Sequence, residues 1–224
     1  MPESDAPAGL RQVLADDADS ILLALPGASG AMARTARGTG TSAVSSVDLG
    51  PVQLTVMELG FPMAGEAHAE RDGLVFTTVL RLPGAGTWDG EDLSTGETYL
   101  YGPGQGQIAN DPDGFVLGLA TIEWGAFETA AAHLHLDPEA PTGKLLVESA
   151  SDGSTFAPLY DELITGSLDP DDPLLVDRIL GDSVELRAVS TAPVTSAREG
   201  CRRSTSSRRS AHIWIEPVAG PCPC

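Results

Sequence analysis

PVQLTVMEL (Pro51–Leu59), LVFTTVLRL (Leu74–Leu82), ETYLY (Glu97–Tyr101) and FVLGLATIE (Phe115–Glu123) are the runs that decide the fold. Each is short, rich in β-branched, aromatic or other apolar residues, and bounded by turn residues. Gly60 follows the first, Pro83-Gly84 the second and Gly102-Pro103-Gly104 the third, while Pro112-Asp113-Gly114 precedes the fourth. Strands at this spacing indicate an antiparallel sandwich or barrel. Few of the runs lead into a helical segment, which argues against a parallel α/β sheet.

Outward from this block the pattern changes. Apolar residues at Leu10, Val13, Leu14, Ile21, Leu22, Leu23 and Leu25 predict one or two short helical turns, and residues 26–46, rich in Gly, Ala, Ser and Thr, read as a connector. After Trp124, the Ala-rich Gly125–Leu136 is helical and is ended by Pro138 and Pro141. Ala157–Ile164 and Pro173–Leu180 read as two more short helices, the second entered through Asp171-Asp172, favourable charges at a helix N-terminus. The expected organisation is therefore an N-terminal helix and connector (1–46), a barrel (47–124), a helical linker or dimerisation segment (125–186) and a disordered basic tail (187–224).

Charge and composition narrow the function. The net charge is −19. Residues 1–186 carry seven basic and 30 acidic side chains, and residues 187–224 carry six Arg and two Glu. An acidic body of this kind repels phosphate backbones and anionic membrane surfaces. All three cysteines (Cys201, Cys222, Cys224) lie near the C-terminus, so no disulfide framework is implied. No apolar run approaches the roughly 18 residues of a membrane span, and the acidic start lacks the positive region of a signal peptide. A cytoplasmic location is expected.

The order of several loose elements resembles the N-terminal sensor domain of AraC/XylS-type transcriptional regulators. They are Asp48-Leu49-Gly50 opening a strand, Trp88-Asp89-Gly90 in a mid-barrel hairpin, Gly96 followed by strand and turn to Pro103-Gly104, and a last strand running into an Ala-rich helix. The resemblance covers roughly residues 15–165. It implies a mainly β, cupin-like jelly-roll barrel that senses a small-molecule effector, a homodimer formed through the helices that follow, and bacterial transcription regulation. The family continues into a DNA-binding domain of paired helix-turn-helix units. Residues after 165 hold no such pattern, so the chain reads as a regulator truncated before its DNA-binding domain, with no specific DNA binding expected from this chain alone.

Candidate sites are few. Phe76, Leu80, Tyr99, Tyr101 and Trp124 lie on the β runs and are the candidate ligand-binding residues; a small barrel either fills its interior with such side chains or leaves room for a ligand, and both readings stand. His133, His135 and Glu139 match part of the cupin metal motif, His-x-His with a Glu four residues on, and give the alternative of a cupin-type metal-dependent enzyme or binding protein. That alternative needs both histidines on one strand face. The preceding Ala run is helical, which places the pair at a helix end, where partial positive charge is favourable. The Gly102–Gly106 run lacks the helix start and Lys of a phosphate-binding loop. No nucleophile is paired with a base, so no catalytic residue, metal or cofactor is expected.

Overall fold

The computed structural model describes residues 9–25, 27–37, 40–137, 139–149, 151 and 153–191. Eight of its strands build the frame: β4 (Val52–Glu58), β5 (Met63–Ala69), β6 (Gly73–Arg81), β7 (Thr87–Trp88), β8 (Glu91–Asp92), β9 (Thr98–Tyr101), β10 (Gly106–Asp111) and β11 (Val116–Glu123). Their pairing is nested. β4 pairs with β11, β5 with β10, β6 with β9 and β7 with β8, all antiparallel. One long hairpin wrapped onto itself in this way is a jelly roll. It yields a sheet containing β4-β11-β6-β9 and a facing sheet containing β5-β10-β7-β8. The innermost turn is Asp89-Gly90, with both residues at positive φ, as a two-residue hairpin of matching twist requires.

Four further strands widen the sheets. β1 (Leu10–Ala15) and β3 (Ser42–Asp48) continue the first sheet beyond β4, and β12 (Leu145–Glu148) continues it beyond β9. β2 (Ala28–Arg34) continues the second sheet beside β5. This corrects the N-terminal expectation: Leu10–Ala15 is strand, the helix α1 is only Ala18–Ala24, and the predicted connector holds β2 and β3. The small residues that suggested looseness serve close strand pairing. A Cβ at Gly30 would lie 2.1 Å from the Glu66 carbonyl oxygen, and one at Gly65 would lie 2.1 Å from that of Ala31.

Three helices cover the outer face of the first sheet: α2 (Trp124–His133), α3 (Ala157–Thr165) and α4 (Leu175–Thr191). α4 runs on past the expected start of a disordered tail at 187; its Ser183 hydroxyl is turned back onto the Ile179 carbonyl at 2.6 Å and leaves the helix unbroken. The remainder of that tail lies outside the described residues. The apolar positions Leu174, Leu175, Val176, Ile179 and Leu180 are more than one face of a lone short helix needs, which suggests a partner. In the structure Leu175 and Ile179 are buried and Val176 and Leu180 pack beside them against the chain's own sheet, leaving Leu174 exposed.

The result is three layers with two cores. Met57, Val75, Val79, Tyr99, Leu117 and Trp88 fill the space between the sheets. Leu54, Phe76, Leu100, Ile122, Phe156 and Tyr160 fill the space between the first sheet and its helices. Strands β4, β6 and β11 are therefore buried on both faces, which is why they read as nearly continuous apolar runs rather than alternating ones.

Candidate functional site

Between the sheets the packing is incomplete at one end, leaving a cavity of about 70 Å³. Period-2 alternation decides what faces it. Met57 comes from β4, Val75 and Thr77 from β6, Tyr101 from β9, Gln107, Ala109 and Asp111 from β10, and Leu117 and Leu119 from β11. β2 and β5 add Met32, Met63 and Ala67. Most of the wall is thus aliphatic or thioether, with a few polar groups converging on it.

Asp111 is the exceptional wall residue. It is 4% exposed, and its Oδ1 accepts a hydrogen bond from Trp88 Nε1 at 3.0 Å. Among the described residues its side chain has no other hydrogen-bond partner and no cation within ion-pair distance. Burial pushes its pKa up to about 6, against which the indole N–H acts in the opposite direction. Beside it the Tyr101 hydroxyl donates to Gln107 Oε1. Burial first, then the charges of Asp89, Asp111 and Glu91, holds that phenol in its neutral form well above its usual range.

The open side of the cavity is closed by α1. This helix sits on the crossover from β1 in one sheet to β2 in the other, and Ile21, Leu22 and Leu25 complete the cavity wall. Its start is fixed by Asp17, whose carboxylate accepts from the Ser20 amide at 2.7 Å and from the Ser20 hydroxyl at 2.8 Å. Those bonds hold the Asp17 pKa below its ordinary value. Next to it, Asp16 accepts from Thr41 Oγ1 at 2.8 Å and, through its carbonyl, from Arg34 at 3.3 Å.

The opposite end is shut by Lys144, the only lysine in the chain. Its side chain is 13% exposed. Its ammonium lies 2.7 Å from Glu91 Oε2 and 3.5 Å from Asp89 Oδ2, donates to the Trp88 carbonyl at 3.0 Å, and stands 5.3 Å from the centroid of the Tyr99 ring. The Tyr99 hydroxyl donates to Glu97 Oε2 at 2.8 Å.

The five residues expected to bind a ligand separate in space. Tyr101 lines the cavity. Tyr99 faces the same interior but is edge-packed on Trp88, with centroids 5.3 Å apart, and belongs to the filled end. Phe76 and Leu80 face the other way: Phe76 meets Phe156 at 5.4 Å beneath the helices, and Leu80 packs in the same outer core. Trp124 begins α2 and stacks on Phe127. The interior is therefore part filled and part open.

The alternative constellation is not assembled. His133 is the last residue of α2, His135 follows in the left-handed region at φ 58°, and His133, His135 and Glu139 are all exposed on the far side from the cavity-lining strands. No group of three His, Cys, Asp or Glu side chains among the described residues is placed to hold a metal ion. His68, on β5, is 44% exposed, borders the cavity and has Glu66 at 3.7 Å. Among the described residues, no helix is long and apolar enough to cross a membrane.

These features define a class, a mainly β jelly roll with a helical layer on one sheet and a small interior pocket. The chain is similar to the AraC-like transcriptional activator CuxR, with 13% identity over 77% of this chain and a TM-score of 0.42. It spans 65% of that protein's chain. It is also similar to a mutant of Bacillus subtilis oxalate decarboxylase OxdC, with 12% identity, 46% of this chain and 35% of that one covered, and a TM-score of 0.29. No family model and no curated protein matches the sequence.

Proposed function

We propose that this chain is the effector-sensing part of an AraC-type transcription regulator, binding a small molecule between its sheets and performing no chemistry on it. The observation that carries this reading is the cavity of about 70 Å³ bounded by aliphatic walls, the Tyr101–Gln107 pair and Asp111, with α1 across its open side. Binding pockets of this composition hold an apolar body and orient it by a few fixed polar groups. Among the described residues no base is hydrogen-bonded to a nucleophile there, which supports binding rather than turnover. The element that would report occupancy is α1, because it supplies one wall of the cavity and links the two sheets at β1 and β2. In the regulator reading the chain works as a homodimer paired through its helices, in the cytoplasm.

Screening a library of small metabolites for an increase in melting temperature tests the proposal. A hit should lose its effect in Ala67→Leu, which places added methyl groups in the cavity from the lining residue Ala67. A ligand whose effect is unchanged by Ala67→Leu binds elsewhere and overturns the assignment of the site. Conversion of the ligand to a product overturns the reading of a non-enzymatic sensor.

A further inference from the structure

We propose that the interior pocket is selective for a small organic monocation, a primary amine with a short aliphatic body, whose ammonium pairs with Asp111. The inference rests on the reading of this pocket as the sensing site and names the chemistry it would recognise.

Asp111 motivates it. A carboxylate nine-tenths buried is ordinarily paired with a cation or with several donors. This one has a single donor, Trp88 Nε1 at 3.0 Å, and the fold supplies no counter-ion among the described residues. The chain's lysine is committed elsewhere, to Glu91, Asp89 and the Trp88 carbonyl. Arg81 is committed to Glu58 and the Gly114 carbonyl. Asp111 nevertheless lines the cavity, so a bound molecule can reach the carboxylate.

The surroundings select the sign of the ligand. Asp89 and Glu91 are paired with Lys144 and do not line the cavity, so the charge an anion would meet there is that of Asp111, which repels it. A neutral ligand leaves the Asp111 charge without a counter-ion. An ammonium pairs with it and can also donate to the oxygens of Tyr101 and Gln107. Met57, Met63, Leu117 and Leu119 accept methylene groups, and the other ionisable lining residue, His68, is 44% exposed and lies 3.7 Å from Glu66. Size limits the body. An apolar cavity of about 150 Å³ holds the six carbons of benzene, so about 70 Å³ suits about three heavy atoms.

The test uses the full chain with three small probes, ethylamine, ethanol and acetate, titrated at neutral pH with melting temperature and protein NMR shifts as readouts. Ethylamine should bind at least about ten-fold more tightly than ethanol, and acetate more weakly than either. Asp111→Asn keeps an acceptor for Trp88 and should cost the amine at least about ten-fold while leaving the alcohol unchanged or improved. Ala67→Leu should weaken both. If ethanol matches ethylamine, or Asp111→Asn leaves the amine untouched while Ala67→Leu abolishes its binding, the pocket is real and the cation assignment is wrong. Amine binding that survives both substitutions is attraction to the acidic surface and overturns the proposal. If none of the three probes binds, the proposal fails; failure of the metabolite screen as well removes the sensing pocket itself.

Discussion

The indole of Trp88 donates to the Asp111 carboxylate at 3.0 Å between neighbouring strands of the second sheet, joining a β7 residue from the innermost hairpin to the end of β10. The bond orients a charge that the fold otherwise leaves unpaired. Its effect on stability follows from linkage. The Asp111 pKa is raised from 3.8 to about 6. Between those values the folded protein holds a proton that the unfolded chain has released, so this group's contribution to stability falls as pH rises from about 4 to about 6 and is level above. The accumulated cost at neutral pH is of order 3 kcal/mol.

Asp111→Asn should therefore stabilise the protein at neutral pH. The gain is of order 3 kcal/mol, since the raised pKa already includes the opposing effect of the Trp88 hydrogen bond. The wild-type and variant melting curves should differ at about pH 7.5 and converge near about pH 4, where the carboxyl is protonated in the unfolded chain as well. General relief of the −19 net charge on acidification acts on both proteins and cancels in the comparison. A gap of equal size at both pH values would show that the Asp111 charge is not its source. A substitution that stabilises the fold while removing ligand binding is the pattern expected of a residue kept for function.

Gly118, on β11, is the contact point between the first sheet and α3. A Cβ there would lie 2.5 Å from both Cδ2 and Cε2 of Tyr160, whose ring is fully buried. The ring lies flat against backbone that only glycine exposes. Gly118→Ala should destabilise by about 1–3 kcal/mol through overpacking. Adding Tyr160→Leu, which removes the clashing ring atoms, should make the double variant less destabilised than the sum of the two singles, as a double-mutant cycle in urea would show. Strict additivity would mean that the two residues are not in the contact described.

Lys144 anchors the β7–β8 hairpin through one carbonyl and two carboxylates, and it is nearly buried although its partner Glu91 is 71% exposed. Lys144→Met keeps the aliphatic stem beneath the charge and removes the ammonium. The expected loss is about 1–2 kcal/mol, since part of the network is screened by solvent. Amide exchange should quicken at Asp89, whose N–H donates to the Ile108 carbonyl at 2.8 Å, and at Ile108, whose N–H donates to Asp89 Oδ1 at 2.8 Å. Unchanged exchange at both amides would assign the anchoring to the turn alone.

How much of this was legible in the sequence depended on burial. β4, β6, β9 and β11 announce themselves because both of their faces are covered, so apolar residues run on without interruption. The same double burial hides which face is which. Phe76 and Leu80 differ from Val75 and Thr77 by one step, and nothing in LVFTTVLRL says that the bulky aromatic turns to the helices and the threonine to the cavity. Tyr99 and Tyr101 share a face by spacing, and both do face the interior. β2 and β5 are spelled in Ala, Gly, Ser and Met, and their identity as strands is decided by a partner distant in sequence. Asp111 was concealed by its neighbours, since Asp111-Pro112-Asp113-Gly114 reads as a turn. The available signal was its place two residues after Ala109 and four after Gln107, on the inward face of the preceding strand.

The pairing of two chains is the last prediction. Leu175 and Ile179 are spent on intramolecular packing, and the apolar surface left on the helices includes Ile164 at the end of α3, 56% exposed, Leu174 just before α4, 68% exposed, and Val189 late in α4, 70% exposed. A two-fold interface sets each patch against its symmetry mate. Introducing a carboxylate in such a patch places like charges opposite one another, on a chain whose net charge is already −19. The protein should sediment as a homodimer at concentrations of order 10 µM, and Ile164→Glu with Leu174→Glu should convert it to monomer. Because both side chains are exposed, the melting temperature extrapolated to monomer should change little. A wild-type monomer at that concentration, or a dimer that withstands both substitutions, would remove the helical layer as the pairing surface.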